Sequence, residues 1–257
     1  MAFIELKDIV KVFKDPKRGT NMVILDHVQL SIEQQEFLCI LGPSGCGKST
    51  LLNMISGFEK PTSGGIMMDG KAITAPGADR GVVFQQPTLM PWLQVWENIS
   101  FYLKLQGVPP KQRRERAQEY INMVGLQGFE KHYPTELSGG MNQRVGIARA
   151  LLLNPSVILM DEPFAALDAQ TKMDMQEELV QIWQKHKITI VFITHSVDEA
   201  VMLGTKVAVM THRPGKIKEM IPITLDEQRD VTSNQFNQYK REILTSIKEE
   251  VALSKAL

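Results

Sequence analysis

The sequence predicts an α/β fold with a mostly parallel sheet, an antiparallel β subdomain at the N-terminal end and an inserted α-helical subdomain. Three observations carry this prediction. Short apolar runs at residues 37–41, 81–84, 157–160, 188–193 and 206–210 are separated by helical stretches, the pattern of strands buried on both faces of a parallel sheet. The opening residues alternate instead, through Phe3, Ile4, Leu6, Ile9, Val10 and Val12 and, past the polar stretch 14–21, through Val23, Leu25, Val28, Leu30 and Ile32; antiparallel strands and a hairpin fit best. Between Trp92 and Leu153 no strand-like alternation occurs, whereas residues 97–106, 111–124 and 141–153 carry apolar side chains at helical spacing.

Taken in order, the first buried run leads into Gly42-Pro43-Ser44-Gly45-Cys46-Gly47-Lys48-Ser49-Thr50, followed by Leu51-Leu52-Asn53-Met54. This is a G-x-x-x-x-G-K-[ST] phosphate loop in its required context of strand, glycine loop and helix. The glycines let the backbone N–H groups converge, and the helix start adds a positive dipole end. Such a loop holds a nucleoside triphosphate, with Lys48 reaching the β and γ phosphates and the Ser49 hydroxyl as a ligand for Mg²⁺. A bulky thiol reagent on Cys46, inside the loop, is expected to block nucleotide binding. Within the helical insert, residues 111–116 look basic, but Glu115 is interspersed and Ala117, Tyr120, Ile121 and Val124 form an apolar stripe, so a solvated helix face is expected there. The tail places Phe236, Tyr239, Ile243, Ile247 and Val251 on one face of an amphipathic helix expected to pack on its own chain.

Composition narrows the setting. With 257 residues and 43% hydrophobic content the chain can bury a large α/β core. Lys+Arg and Asp+Glu both number 29, so no net field draws nucleic acid or anionic lipid, and contact with a membrane needs a protein intermediary. The uncharged stretch around 81–96 contains Gln85, Gln86, Pro87 and Pro91 and cannot be a membrane span. No secretory signal is visible at the N-terminus. Cys39 lies in a buried strand and Cys46 in the phosphate loop, where pairing would wreck the loop, so both are expected as reduced thiols in a cytosolic setting.

The run at 157–160 ends in Asp161-Glu162-Pro163. Alone such a pair is often a turn. Joined to a phosphate loop, a carboxylate ending a buried parallel strand can reach Mg²⁺ through water, and the next faces the γ-phosphate, so Asp161 is expected to hold metal and Glu162 to activate water. Leu137-Ser138-Gly139-Gly140-Met141-Asn142-Gln143-Arg144 precedes the last helix of the insert, and on its own Ser138 is an ordinary N-cap. The order of phosphate loop, helical insert, Leu-Ser-Gly-Gly-x-x-Gln-Arg and Asp-Glu pair resembles the ATP-binding-cassette (ABC) ATPases over nearly the whole chain.

That resemblance implies a single ATPase domain over 1–257: a P-loop, RecA-like α/β core with its antiparallel β part at 1–87 and 154–222, a helical subdomain at 88–153 and a C-terminal helical extension at 223–257. It implies that Ser138, Gly139 and Gly140 close on ATP held by a second copy in a head-to-tail dimer that sandwiches two ATP; bare glycines at a helix start allow such an approach. Gln85 matches the glutamine that contacts Mg²⁺ and links the ATP site to the helical subdomain, although its amide could equally cap a turn. Asp168, in Ala165-Ala166-Leu167-Asp168, matches the D-loop aspartate, with Ala165 where serine is usual. His195 matches the switch histidine at the γ-phosphate; at the end of an apolar strand it is otherwise a structural residue. Phe13 matches the aromatic stacked on adenine, with a core position as the other reading. His27, His132, His186 and His212 match nothing catalytic.

Further residues resemble one group of that family. Pro87-Thr88-Leu89-Met90-Pro91-Trp92-Leu93, Thr211-His212-Arg213-Pro214-Gly215-Lys216-Ile217 and Asp161-Glu162-Pro163-Phe164 look like the ATPase subunits of importers for nitrate, taurine and aliphatic sulfonates. Leu225-Asp226-Glu227-Gln228-Arg229-Asp230 does too, with Gln228 in place of the usual proline. The resemblance implies integral membrane permease subunits as partners, a solute-binding protein indirectly, and a peripheral position on the inner face of the cell membrane. Leu89, Met90, Trp92 and Leu93 form an apolar patch that either receives a cytoplasmic helix of the permease or packs locally. An exporter or lipid transporter, or a transporter of another solute, would use the same motifs. A cassette ATPase acting on nucleic acid fits poorly, because there is one phosphate loop and no sustained heptad.

Overall fold

The apolar runs form strands in the computed structural model of the chain, which describes residues 2–14, 19–225 and 229–255. In chain order the elements begin β1 (Ile4–Lys14), β2 (Asn21–Ile32), β3 (Phe37–Leu41), α1 (Lys48–Ser56), β4 (Ser63–Met68), β5 (Lys71–Ala72) and β6 (Arg80–Val83). Four helices follow, α2 (Val95–Ile99), α3 (Phe101–Leu105), α4 (Pro110–Met123) and α5 (Gly139–Leu152), with a single 3-10 turn at Pro134–Glu136. The chain continues with β7 (Val157–Asp161), α6 (Ala169–His186), β8 (Thr189–Ile193), α7 (Val197–Leu203), β9 (Lys206–Met210), β10 (Ile217–Pro222) and α8 (Asn234–Lys255). These fall into two compact units, residues 1–77 with 189–257, and residues 78–188.

In the first unit β3 lies between β8 and β9 and runs parallel to both, while β10 closes the edge antiparallel to β9. All five residues of β3 are fully buried, as expected for a strand covered on both faces. The N-terminal alternation folds as an antiparallel sheet in the order β2-β1-β4-β5. Strand β4 was not among the expected strands; Gly64 and Gly65 at its start weaken the strand pattern. Gly64 has φ +87 and its Cα lies against the backbone of Lys7 and Asp8, so a glycine is needed for β4 to pass β1 so closely. Phe236 and Ile243 of α8 are buried, so the amphipathic tail packs as its stripe predicts. Asp226, Glu227 and Gln228 lie outside the described residues.

In the second unit β6 and β7 pair in parallel, and every element between Trp92 and Leu153 is helical. The expected helix over 97–106 is two short helices. Ser100 separates them, its hydroxyl bonded to the Trp96 carbonyl at 2.7 Å, the kind of local side-chain bond that competes with the helix ladder. Arg113 departs from the solvated-face expectation: it is 7% exposed, and its guanidinium lies 5.4 Å from the Trp96 ring centroid, with that of Arg114 at 4.7 Å. Among the described residues no helix is long and apolar enough to cross a membrane.

Candidate functional site

In the first unit the strand ends build an anion cradle. The loop from Gly42 leaves β3, and α1 starts at Lys48 with Gly47 as its N-cap, at φ +107 and without any side-chain cap bond. An uncapped helix start presents its first N–H groups to an anion. Lys48 is 8% exposed, its ammonium donating to the Gly42 carbonyl at 2.8 Å and the Pro43 carbonyl at 3.0 Å, which holds the charge along the loop. Ser44, Gly45 and Ser49 are exposed; Pro43 and Thr50 are half-buried. A methyl group on Gly47 would stand 2.7 Å from Leu25 Cδ2, and one on Gly42 3.0 Å from Met210 Cβ, so both glycines are set by the floor beneath the loop.

Cys46 does not match the expectation of ready reagent attack. It is 1% exposed, its sulfur 4.0 Å from Lys48 Nζ. Burial pushes its thiol pKa up and the Lys48 ammonium opposes this only in part. Burial likewise raises the Cys39 thiol far above the usual range.

His195 follows β8, whose Ile193 pairs with Ile40 of β3, so this exposed histidine and the phosphate loop leave the sheet at the same strand ends. The segment bearing it is clasped. The Thr194 hydroxyl donates to buried Glu199, the Ser196 N–H donates to Thr194 Oγ1 at 2.9 Å, and the Glu199 N–H donates to Ser196 Oγ at 3.3 Å. Sequence reading passed over Glu199, although Ser196-Val197-Asp198-Glu199 is an S-x-x-E capping signature. Phe13, 38% exposed near the end of β1, offers an aromatic face, with Lys11 Nζ 4.7 Å from its ring centroid.

In the second unit Val83 of β6 pairs with Met160 of β7, so Gln85 and Glu162, each two residues further on, emerge at matching ends of parallel strands. Gln85 is exposed; Asp161 and Glu162 are half-buried. Glu162 has φ +45, the left-handed region that costs a non-glycine residue of order 1–3 kcal/mol and recurs at functional positions. Helix α5 pins the segment after Gln85: Arg149 donates to the Pro87 carbonyl at 2.9 Å and the Thr88 carbonyl at 3.1 Å, and Gln143 to the Phe84 carbonyl at 3.4 Å. At the start of α5 the Ser138 hydroxyl accepts from the Met141 N–H at 3.3 Å, while Ser138 and Gly139 stay exposed. Gly140 is buried, with room for a methyl denied by Thr171 Cγ2 at 2.5 Å. Asp168 caps α6, accepting from the Thr171 N–H at 3.1 Å and hydroxyl at 2.7 Å, bonds that hold its pKa below the ordinary carboxylate value. Gly140 and Asp168 thus meet through Thr171.

Asn98, which sequence reading missed, is fully buried and organises the segment before α2. Its amide nitrogen donates to the carbonyls of Met90 at 3.1 Å and Leu93 at 2.9 Å, and its oxygen accepts from the Met90 N–H at 2.9 Å. Leu93 is only 9% exposed and belongs to the core rather than the apolar patch, whereas Trp92 is 71% exposed.

The residues suit magnesium nucleotide. In the first unit the anion cradle carries the hard hydroxyl oxygen of Ser49, the second unit offers the carboxylates of Asp161 and Glu162, and no group of three or more His, Cys, Asp or Glu among the described residues forms a protein-only metal cage. Fold and loop together define a phosphate-loop nucleotide-binding protein.

The chain belongs to the ABC transporter family, whose model matches residues 25–165. It is 52% identical over 251 residues to an uncharacterised ABC transporter ATP-binding protein of Methanocaldococcus jannaschii, covering 98% of this chain and 93% of that one. It is 49% identical to the nitrate import ATP-binding protein NrtD of Synechocystis sp., covering 93% and 89%. To the taurine import ATP-binding protein TauB of Rhizobium johnstonii it is 51% identical, covering 82% and 80%. A solved dimeric ATP-binding cassette in a post-hydrolysis state, bound to ADP and Pi, superposes with a TM-score of 0.76 at 33% identity, covering 87% of this chain and all of that one.

Proposed function

We propose that this chain is the ATP-hydrolysing subunit of an importer for a small anionic solute of the nitrate, taurine or sulfonate kind, working as a head-to-tail pair on the cytoplasmic face of a membrane. The observation that carries the ATPase reading is the cradle itself: a buried lysine folded back on the Gly42 and Pro43 carbonyls beneath an uncapped helix start. The names of the nitrate and taurine relatives support the solute class.

In this reading Lys48 and the backbone N–H groups of residues 44–50 bind the phosphates in the loop that Gly42 and Pro43 open, and Phe13 stacks on the adenine. Ser49, Gln85 and Asp161 would hold Mg²⁺, which when bound neutralises charge on the β and γ phosphates. Glu162 accepts a proton from the attacking water, and His195 orients the γ-phosphate. Ser138, Gly139 and Gly140 of one copy close on the nucleotide of the other, with Asp168 at the same interface. The α5 bonds to the segment after Gln85 give that closure a rigid route to the exposed Trp92, which we assign to the permease contact. The test is ATP binding and phosphate release by the purified protein. Lys48→Ala should abolish both; unchanged turnover would remove the cradle from the reaction. Loss of nitrate or taurine uptake in cells lacking the chain would test the solute class.

A further inference from the structure

The floor of the phosphate loop is held from the far end of the chain. Gly215 donates its N–H to the Ile24 carbonyl at 2.8 Å and accepts from the Asp26 N–H at 3.1 Å, and its Cα is packed directly on the Cys46 carbonyl, with no room for a methyl group between. Leu25, between those two partners, and Met210 are the residues that meet Gly47 and Gly42 from below. Gly215 belongs to the turn 211–216, which the Thr211 N–H closes on the Lys216 carbonyl at 2.9 Å while the Thr211 hydroxyl donates to the Pro214 carbonyl at 3.1 Å.

The turn has one anchor on α8. Glu250, 5% exposed, accepts on a single carboxylate oxygen from the His212 backbone N–H at 3.1 Å and from His212 Nδ1 at 3.2 Å. Its other oxygen lies 3.2 Å from Lys218 Nζ, which also donates to the Ser246 carbonyl at 3.0 Å and pairs with Glu249 at 2.7 Å. Two kinds of contact therefore fasten α8 here. Lys218 ties the helix to β10, which carries no part of the loop floor, whereas Glu250 ties it to the turn that touches the loop.

We infer that Glu250 is a positioning residue for the phosphate loop, acting through His212 and the 211–216 turn, so that the Glu250–His212 contact of the C-terminal helix and nucleotide affinity are coupled. The inference rests on the proposal that the loop binds ATP. Coupling of this kind is reciprocal: what steadies the turn favours bound nucleotide, and bound nucleotide steadies the turn and helix.

The test is hydrogen exchange and ATP titration on the full chain, at concentrations where light scattering shows monomer. Adding ATP to the wild type should slow exchange in 42–50 and also in 211–216 and the end of α8. Glu250→Ala should speed exchange in 42–50 and weaken ATP binding by more than about 2-fold and up to about 30-fold, the range of couplings seen for residues touching neither ligand. Glu250→Gln, which keeps an acceptor for the His212 N–H, should fall between. Tyr239→Phe, which removes the 2.8 Å bond from α8 to the Thr224 hydroxyl and leaves Glu250 and its partners in place, should leave exchange in 42–50 and ATP affinity within about twofold of wild type. Protection by ATP confined to 42–50, or equal loss of affinity in Tyr239→Phe and Glu250→Ala, would overturn the inference. Absence of ATP binding by the wild type would instead overturn the proposed function.

Discussion

Gly215→Ala places one methyl group where the Cys46 carbonyl already stands, with Met210 Cε at 3.0 Å and Leu25 Cδ2 at 3.1 Å on its other sides. A carbon and a carbonyl oxygen meet comfortably at about 3.3–3.6 Å, and the new methyl falls about 1 Å short of that. The two side chains can give by a few tenths of an ångström; the carbonyl is backbone and takes the phosphate loop with it. Gly215 is not in the left-handed region, so the effect is steric and separate from backbone strain. Overpacking of this kind costs about 1–3 kcal/mol, which for a chain of this size lowers Tm by about 2–12 °C. The functional effect should be larger, because a displacement of about 1 Å in a positioning element can cost on the order of 10²-fold in rate. Gly65→Ala is the control: nothing lies within 4 Å of its added methyl. The assay pairs a thermal melt with titration of a fluorescent ATP analogue and phosphate release. A Gly215→Ala protein with ATP affinity and turnover within about twofold of wild type would refute the idea that this turn sets the loop.

Two other predictions follow from the titratable groups. Cys46 and Cys39 should resist a maleimide at neutral pH in the folded protein, with or without ATP, and react on unfolding in urea, since burial keeps both thiols protonated; fast labelling of Cys46 slowed by ATP would place the thiol in the open site. The carboxylate of Asp168 is more acidic folded than unfolded, so its contribution to stability is fully present above the unfolded pKa of about 3.9 and lost as pH falls through the lower folded value. Melts of wild type and Asp168→Ala should therefore differ most near neutral pH and draw together as the pH falls through the folded value; a gap that widens on acidification would contradict the sign.

The sequence was most legible where chemistry demands contiguous residue types. A phosphate loop needs its glycines, lysine and hydroxyl within nine residues, and an Asp-Glu pair needs only the strand before it, so residues 42–50 and 161–162 stand out unaided. The five parallel strands were legible for a similar reason, since full burial leaves an unbroken apolar run. Elements set by contacts distant in sequence were not. Strand β4 went unread because the strand that Gly64 must pass, β1, lies more than fifty residues earlier. Asn98 carried no signal of its own until its bonds to the backbone of Met90, Leu93 and Gln94 were in place. The apolar stripe of α8 was visible, yet Ser246 and Glu250 on its buried side carried no signal, because their partners sit on a turn and a strand over 25 residues away.

In the proposed reaction Glu162 activates water for hydrolysis of ATP held between two copies of this chain. The direct measurement is gel filtration with quantified nucleotide for Glu162→Gln after incubation with ATP and Mg²⁺. A shift from monomer to dimer is expected, with one unhydrolysed ATP per chain and turnover lowered by about 10²–10⁴-fold, the usual loss on removing a general base. A Glu162→Gln protein that stays monomeric and releases phosphate at the wild-type rate would contradict it.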